Sequence, residues 1–151
     1  MEGFLMKTNK VLYHAEMVNK EGLPGQSYVK GQGELSVPVS SPLKPQQGAN
    51  PEQFVGLALA TCLNATLQAI EKQRGFEHKS QVQVGVDMMY DTHGYQFMVN
   101  GQVLIPDQPR EVAEDMLAEA ETRCPVAKLL QGSDNVHVRV VDQFDFAPED
   151  A

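Results

Sequence analysis

Asn50-Pro51-Glu52-Gln53-Phe54-Val55-Gly56-Leu57-Ala58-Leu59-Ala60-Thr61-Cys62-Leu63-Asn64-Ala65-Thr66 is the stretch on which the reading of this chain turns. It opens as a helix should. Asn50 suits the cap, Pro51 the first turn, and Gln53 stands three residues after the cap to close a capping box. The helix is predicted over 51–74, with Gly75 as its stop. Its first half is apolar nearly all round, which marks a central helix rather than a surface one. Val55, Ala58, Cys62, Ala65 and Ala69 form one face of small residues, open to close approach by another element.

Outward from that helix the pattern changes period. Upstream, Val11, Tyr13, Ala15 and Met17 alternate with polar neighbours, and Tyr28-Val29 and Leu35-Ser36-Val37 follow a turn at Glu21–Gly25. Strands are expected within 8–40. Pro38 to Asn50 has no period and reads as a long loop, the kind of segment that carries function. Downstream, Val82, Val84, Val86, Met88 and Tyr90 alternate, Asp91–Gly94 turns, and Tyr95, Phe97 and Val99 return, so a hairpin is predicted over 81–105. Gly101 is expected to mark a bulge in it. Helices are predicted over 109–131, interrupted at Cys124-Pro125 because a residue before proline avoids the helical region. A last strand is expected over 135–144, and a frayed tail after Phe146. The whole chain, 1–151, reads as a single α+β domain in which antiparallel sheets pack on a long central helix.

Composition narrows the function. The net charge is -8 and no basic cluster offsets it, which argues against nucleic acid and against an anionic membrane surface as partners. No apolar run is expected to span a bilayer. The first residues lack the basic-then-apolar pattern of a secretory signal, so the protein is expected in the cytoplasm, where a disulfide is more often catalytic or sensing than structural. His14, His78, His93 and His137 have no metal spacing with one another or with cysteine, and no nucleotide-binding or nucleophile-elbow motif is present. Neither a metal nor a cofactor is expected.

Chemistry then rests on two cysteines, Cys62 and Cys124. Cys124 is placed at the start of a short helix, where unpaired N–H groups favour a thiolate, and Arg123 adds positive potential. Cys62 lies mid-helix among apolar neighbours, where desolvation disfavours its charge. Local physics therefore points to Cys124 as the reactive thiol, or to two inert buried cysteines. Glu52 in the first turn either complements the helix dipole or orients a basic group.

Gly48-Ala49-Asn50-Pro51-Glu52-Gln53-Phe54 running into Ala58-Leu59-Ala60-Thr61-Cys62 resembles the first signature of the OsmC/Ohr superfamily, the osmotically inducible and organic hydroperoxide resistance proteins. Arg123-Cys124-Pro125-Val126-Ala127-Lys128-Leu129-Leu130 resembles the second, in its OsmC-like form: the Ohr side usually carries an aromatic residue where Val126 stands. The resemblance implies an intertwined homodimer and a thiol peroxidase acting on organic hydroperoxides. It reverses the local reading of the thiols, making Cys62 the nucleophile and Cys124 its resolving partner. A Cys62–Cys124 disulfide would be reduced by an external dithiol, a lipoyl protein in some members. Glu52 would hold a catalytic arginine, yet no arginine precedes Arg74. Lys44, Lys20 and Arg123 are the candidate cations in its place. A redox sensor or small-ligand binding protein on the same fold, or a structural dimer with inert thiols, are the alternatives.

Overall fold

The computed structural model describes residues 10–43 and 47–147, in two compact units, Met1–Asn50 and Pro51–Ala151. The first is an antiparallel meander of β1 (Met17–Asn19), β2 (Gly25–Val29) and β3 (Ser36–Val39). Asn19 builds the first turn: its Oδ1 accepts from Gly22 N at 2.8 Å, while Gly22 takes φ 70°. Among the described residues the first strand, expected within 8–40, starts at Met17. The reason lies in its partner. Lys30 N donates to Glu16 O at 2.9 Å, and then β2 turns away through Gly31 and Gly33, leaving residues 10–15 no backbone to pair with. The loop after β3 is closed at its base. Ala49 N donates to Pro38 O at 2.8 Å and Ser40 N to Ala49 O at 2.9 Å. Gly48 is required there, since a Cβ would stand 3.0 Å from Pro38 O at φ 151°. Lys44 falls outside the described residues. Among those described in this unit, only Val39 and Ser40 are buried.

The second unit is built on α1 (Pro51–Gln73). Leu59, Leu63, Leu67 and Ile70 recur at helical spacing and are wholly buried, each worth roughly 1.5–3 kcal/mol of burial. The helix ends as predicted. Gly75, at φ 77°, is the left-handed residue of a Schellman motif: Phe76 N donates to Glu71 O at 2.8 Å and Gly75 N to Lys72 O at 3.2 Å. The expectation that no run could span a bilayer needs correction. α1 has a window of mean hydropathy 1.3 and passes by length and composition. It is nonetheless the helix that carries the packed core of this unit and the buried carboxylate of Glu71.

β4 (Gln81–Tyr90) and β5 (Tyr95–Leu104) form the predicted hairpin in unbroken register, Gln81 opposite Leu104 through Tyr90 opposite Tyr95. No bulge occurs at Gly101. A Cβ there would meet Val138 at 3.2 Å, so this glycine admits a neighbouring side chain instead. α2 (Arg110–Arg123) and α3 (Pro125–Leu130) follow, and Cys124 breaks them in extended conformation (φ -70°, ψ 117°). β6 (Val136–Val140) then pairs with β5 in parallel, a departure from the antiparallel expectation. Two helices lie between β5 and β6, and that crossover brings the chain back in the same direction. The strand stops at Val140, not 144. Asp145 instead pairs with the Gln102 side chain, its own N–H donating to Gln102 Oε1 at 3.1 Å, and with Arg139 at 2.8 Å. Phe146 covers Gly85 on the same face of the sheet, where a Cβ would come within 2.8 Å of the ring. Of the tail expected to fray after Phe146, residues 148–151 lie outside those described.

Candidate active site

Cys62 sits at the border of the α1 core stripe. Leu63 beside it is buried, Cys62 is half-buried, and Ala58, Thr61 and Ala65 around it are exposed. At about 100° of rotation per residue, one step from the core stripe leaves a side chain on the rim. Thr66 Oγ1 donates to the Cys62 carbonyl at 2.9 Å, a bond along the helix that occupies the hydroxyl.

Cys124 meets that rim from the other side. As the residue between α2 and α3 it caps the short helix, and Ala127 N–H donates to its Sγ at 3.4 Å. Its side chain is wholly buried among the apolar residues of the core, against which Cys62, Val126, Ala127 and Leu130 also pack. Both cysteines are free thiols, and Cys62 packs against the core cluster that holds Cys124. Two residues far apart in sequence are thus brought to one place by α1 and the α2–α3 break.

The electrostatics correct the local expectation for Cys124. Burial pushes its pKa up, and this outweighs the opposing hydrogen bonds from Ala127 and Val126 N–H groups. The hydrogen bond to Cys62, and the negative charge Cys62 carries once ionised, raise it further. Burial thus favours the protonated form of Cys124. Arg123 does not offset this. Its guanidinium turns back along α2 to Glu119, at 2.8 Å, and to Gln73, at 2.9 Å.

The remaining described candidates lie as follows. Glu52 is half-buried in the first turn of α1, about 15 Å of helix axis before Cys62. Lys20 is exposed in the turn after β1. The histidines are dispersed: His14 pairs with Glu16 at 2.9 Å, His78 with Glu71 at 2.8 Å, His93 lies in the hairpin turn and His137 on β6.

One polar cluster was missed from sequence. Glu71 accepts from Lys79 N (3.0 Å), Ser80 N (3.1 Å) and Ser80 Oγ (2.7 Å), and meets His78 Nδ1. Burial opposes its charge, but these donors together hold its pKa below the ordinary carboxylate value. Ser80 Oγ also lies 2.8 Å from the Asn64 amide. Asn64 Oδ1 and the Glu71 carboxylate are thus the two acceptors that face the one Ser80 hydroxyl proton. The signal was in the spacing: Leu59, Leu63, Leu67 and Glu71 repeat every four residues, which puts the acid in the core stripe. Serine, histidine and glutamate here do not make a hydrolytic triad. His78 Nδ1 faces both partners, and Ser80 is buried, out of reach of a substrate.

Two free thiols thus stand between a central helix and a helix break on an α+β frame. The chain belongs to the OsmC-like protein family, whose model matches residues 44–139. It is 31% identical over 97 residues to the organic hydroperoxide resistance protein OhrB of Bacillus subtilis (strain 168), covering 63% of this chain and 70% of that protein. The crystal structure of that OhrB superposes with a TM-score of 0.78 at 26% identity, over 87% of this chain and all of that one. A protein of Lactobacillus casei ATCC 334, described as a redox protein on a provisional basis, is more similar still. It has a TM-score of 0.85 and 40% identity over 93% of this chain and 99% of that one.

Proposed function

We propose that the protein is a thiol-dependent peroxidase that reduces organic hydroperoxides to alcohols. The observation that carries the reading is the asymmetric thiol pair: one half-buried thiol on the central helix, packed against the core cluster that holds one wholly buried thiol. The Cys62 thiolate attacks the distal oxygen of the O–O bond. The alkoxide leaves and takes a proton from water, and Cys62 is left as a sulfenic acid. Cys124 attacks that sulfur, its proton leaves with the hydroxyl as water, and the Cys62–Cys124 disulfide forms. An external dithiol restores both thiols and is itself oxidised to a disulfide. A lipoyl group is one such dithiol. The likeness to a protein that confers organic hydroperoxide resistance supports this substrate class.

Glu52 serves as the anchor for a cation brought to Cys62, with Lys44 and Lys20 as the candidates. A lysine supplies charge without the planar fork of arginine, so turnover is slower than an arginine would give. The active form is a cytoplasmic homodimer. Its support is the apolar surface that one chain leaves open. Phe54 and Leu57 project from α1 at 37% and 65% exposure, and Val11, Leu12 and Tyr13 stand 73–88% exposed. The test is consumption of tert-butyl hydroperoxide in the presence of a dithiol, which Cys62→Ser abolishes. Consumption at the wild-type rate by that variant contradicts the reading.

The absence of arginine from residues 1–73 favours one second reading, a redox sensor in which the pair oxidises without rapid turnover. It is distinguished by disulfide formation on oxidant exposure with no multiple-turnover consumption.

A further inference from the structure

Resting on that reading, we infer that Glu119 is the positioning residue of the resolving step: it holds the last turn of α2 so that Cys124 meets Cys62. The step is a condensation. The Cys124 sulfur bonds to Cys62 Sγ, the S–O bond of the sulfenic acid breaks, and the hydroxide leaves with the Cys124 proton as water. The two sulfurs start on separate elements, so the rate depends on how firmly the end of α2 is held across α1. Apolar packing holds the body of α2 better than its end. Met116, Leu117 and Ala120 are buried, but Glu121, Thr122 and Arg123 are exposed. Ala120 brings only a methyl group, and the Cys124 N–H closes the last turn on its carbonyl at 2.7 Å.

A polar clasp completes the hold. Glu119 accepts from two arginines at once: Oε1 from Arg74 Nη2 at 3.0 Å, and Oε2 from Arg123 Nη1 at 2.8 Å. Arg74 directly follows α1, and Arg123 directly precedes Cys124. Arg123 Nη1 also donates to Gln73 Oε1, in the last turn of α1, at 2.9 Å. The residue beside Cys124 is thus tied to the end of α1, about 17 Å of helix axis beyond Cys62. A tie at one end of α1 and thiol packing further back fix the direction of the α2 terminus as well as its place. The two guanidinium groups hold the Glu119 carboxyl below the ordinary carboxylate value, so the clasp is ionised at neutral pH. Asp115 pairs with Arg74 too, at 2.9 Å, but it is 73% exposed and a turn further from Cys124. It is the natural control.

Glu119→Gln keeps the shape and replaces one acceptor oxygen with an NH2 that cannot accept from arginine. Reduced wild type, Glu119→Gln and Asp115→Asn are each given tert-butyl hydroperoxide without reductant. Disulfide and Cys62 sulfinic acid are then counted by mass. Sulfinic acid forms when a second hydroperoxide reaches the sulfenic acid before Cys124 does. In Glu119→Gln the first oxidation keeps its wild-type rate, closure slows roughly tenfold, and the sulfinic share rises accordingly. Asp115→Asn follows wild type. A second arm uses no hydroperoxide: each disulfide is formed with diamide and equilibrated against dithiothreitol. In Glu119→Gln the equilibrium shifts about tenfold toward the dithiol, or about 30 mV. Arg74→Met severs the same clasp from the α1 side and reproduces the shift. Wild-type partition and wild-type potential in folded Glu119→Gln overturn the inference, and so does an equal change in Asp115→Asn. If wild type consumes no hydroperoxide, the peroxidase reading fails and the potential alone decides: an unshifted midpoint in Glu119→Gln and Arg74→Met overturns the inference.

Discussion

At Cys124 the local chain and the packed core pull one thiol in opposite directions. The helix break and its N–H groups favour a thiolate, and that much is legible in Arg123-Cys124-Pro125. Burial is not, because the residues that enclose Cys124 come from α1 and from the body of α2. The larger influence wins, and the thiol holds its proton. A folded-state pKa above the unfolded one means stability that is complete below the ordinary thiol range and falls as pH rises through it. Cys62 contributes to the shift through its hydrogen bond and its charge, so Cys62→Ala lowers the Cys124 pKa relative to wild type. Thiolate absorbance at 240 nm against pH measures this. An unchanged or higher Cys124 midpoint in Cys62→Ala contradicts the pairing.

Among the elements, α1 was the most readable from sequence and β6 the least. Cap, apolar face and Gly75 are local signals, and the helix is found at Pro51–Gln73. The strand expected over 8–16 and the end of β6 at 144 failed for a shared reason: a strand exists only opposite a partner, and alternation cannot show where the partner stops. The parallel pairing of β5 and β6 is likewise a consequence of the crossover. The Glu71 cluster ties the C-terminal end of α1 to the entry of β4 through Lys79 and Ser80. Glu71→Ala strips three donors of their buried acceptor and costs about 3–5 kcal/mol by urea denaturation at neutral pH. Since the folded pKa of Glu71 is lowered, its contribution is complete above the ordinary carboxylate range and is lost as pH falls through the folded value. Acidification from pH 7 to pH 4 therefore costs the wild type more stability than Glu71→Gln. Equal losses in both contradict an ionised Glu71.

For the whole molecule, the chain leaves open more apolar surface than a monomer tolerates well. The first unit buries little among its described residues, and α1 exposes Phe54 and Leu57 although both belong to its apolar half. The sequence showed a helix apolar nearly all round; one chain covers only the Leu59–Leu63–Leu67–Ile70 side. In the proposed homodimer a second copy covers the rest. Wild-type protein is expected to sediment at twice the chain mass, and Leu57→Glu to shift it to the monomer without loss of the helical circular dichroism signal. A wild-type monomer at micromolar concentration contradicts the dimer. The central claim, that Cys62 and Cys124 form a peroxide-driven redox pair, is tested most directly by one stoichiometric oxidation. One equivalent of tert-butyl hydroperoxide is added to the fully reduced protein, and the thiols are mapped by mass spectrometry after alkylation. The account predicts a Cys62–Cys124 disulfide and loss of the hydroperoxide. Two alkylated cysteines beside unconsumed hydroperoxide contradict it.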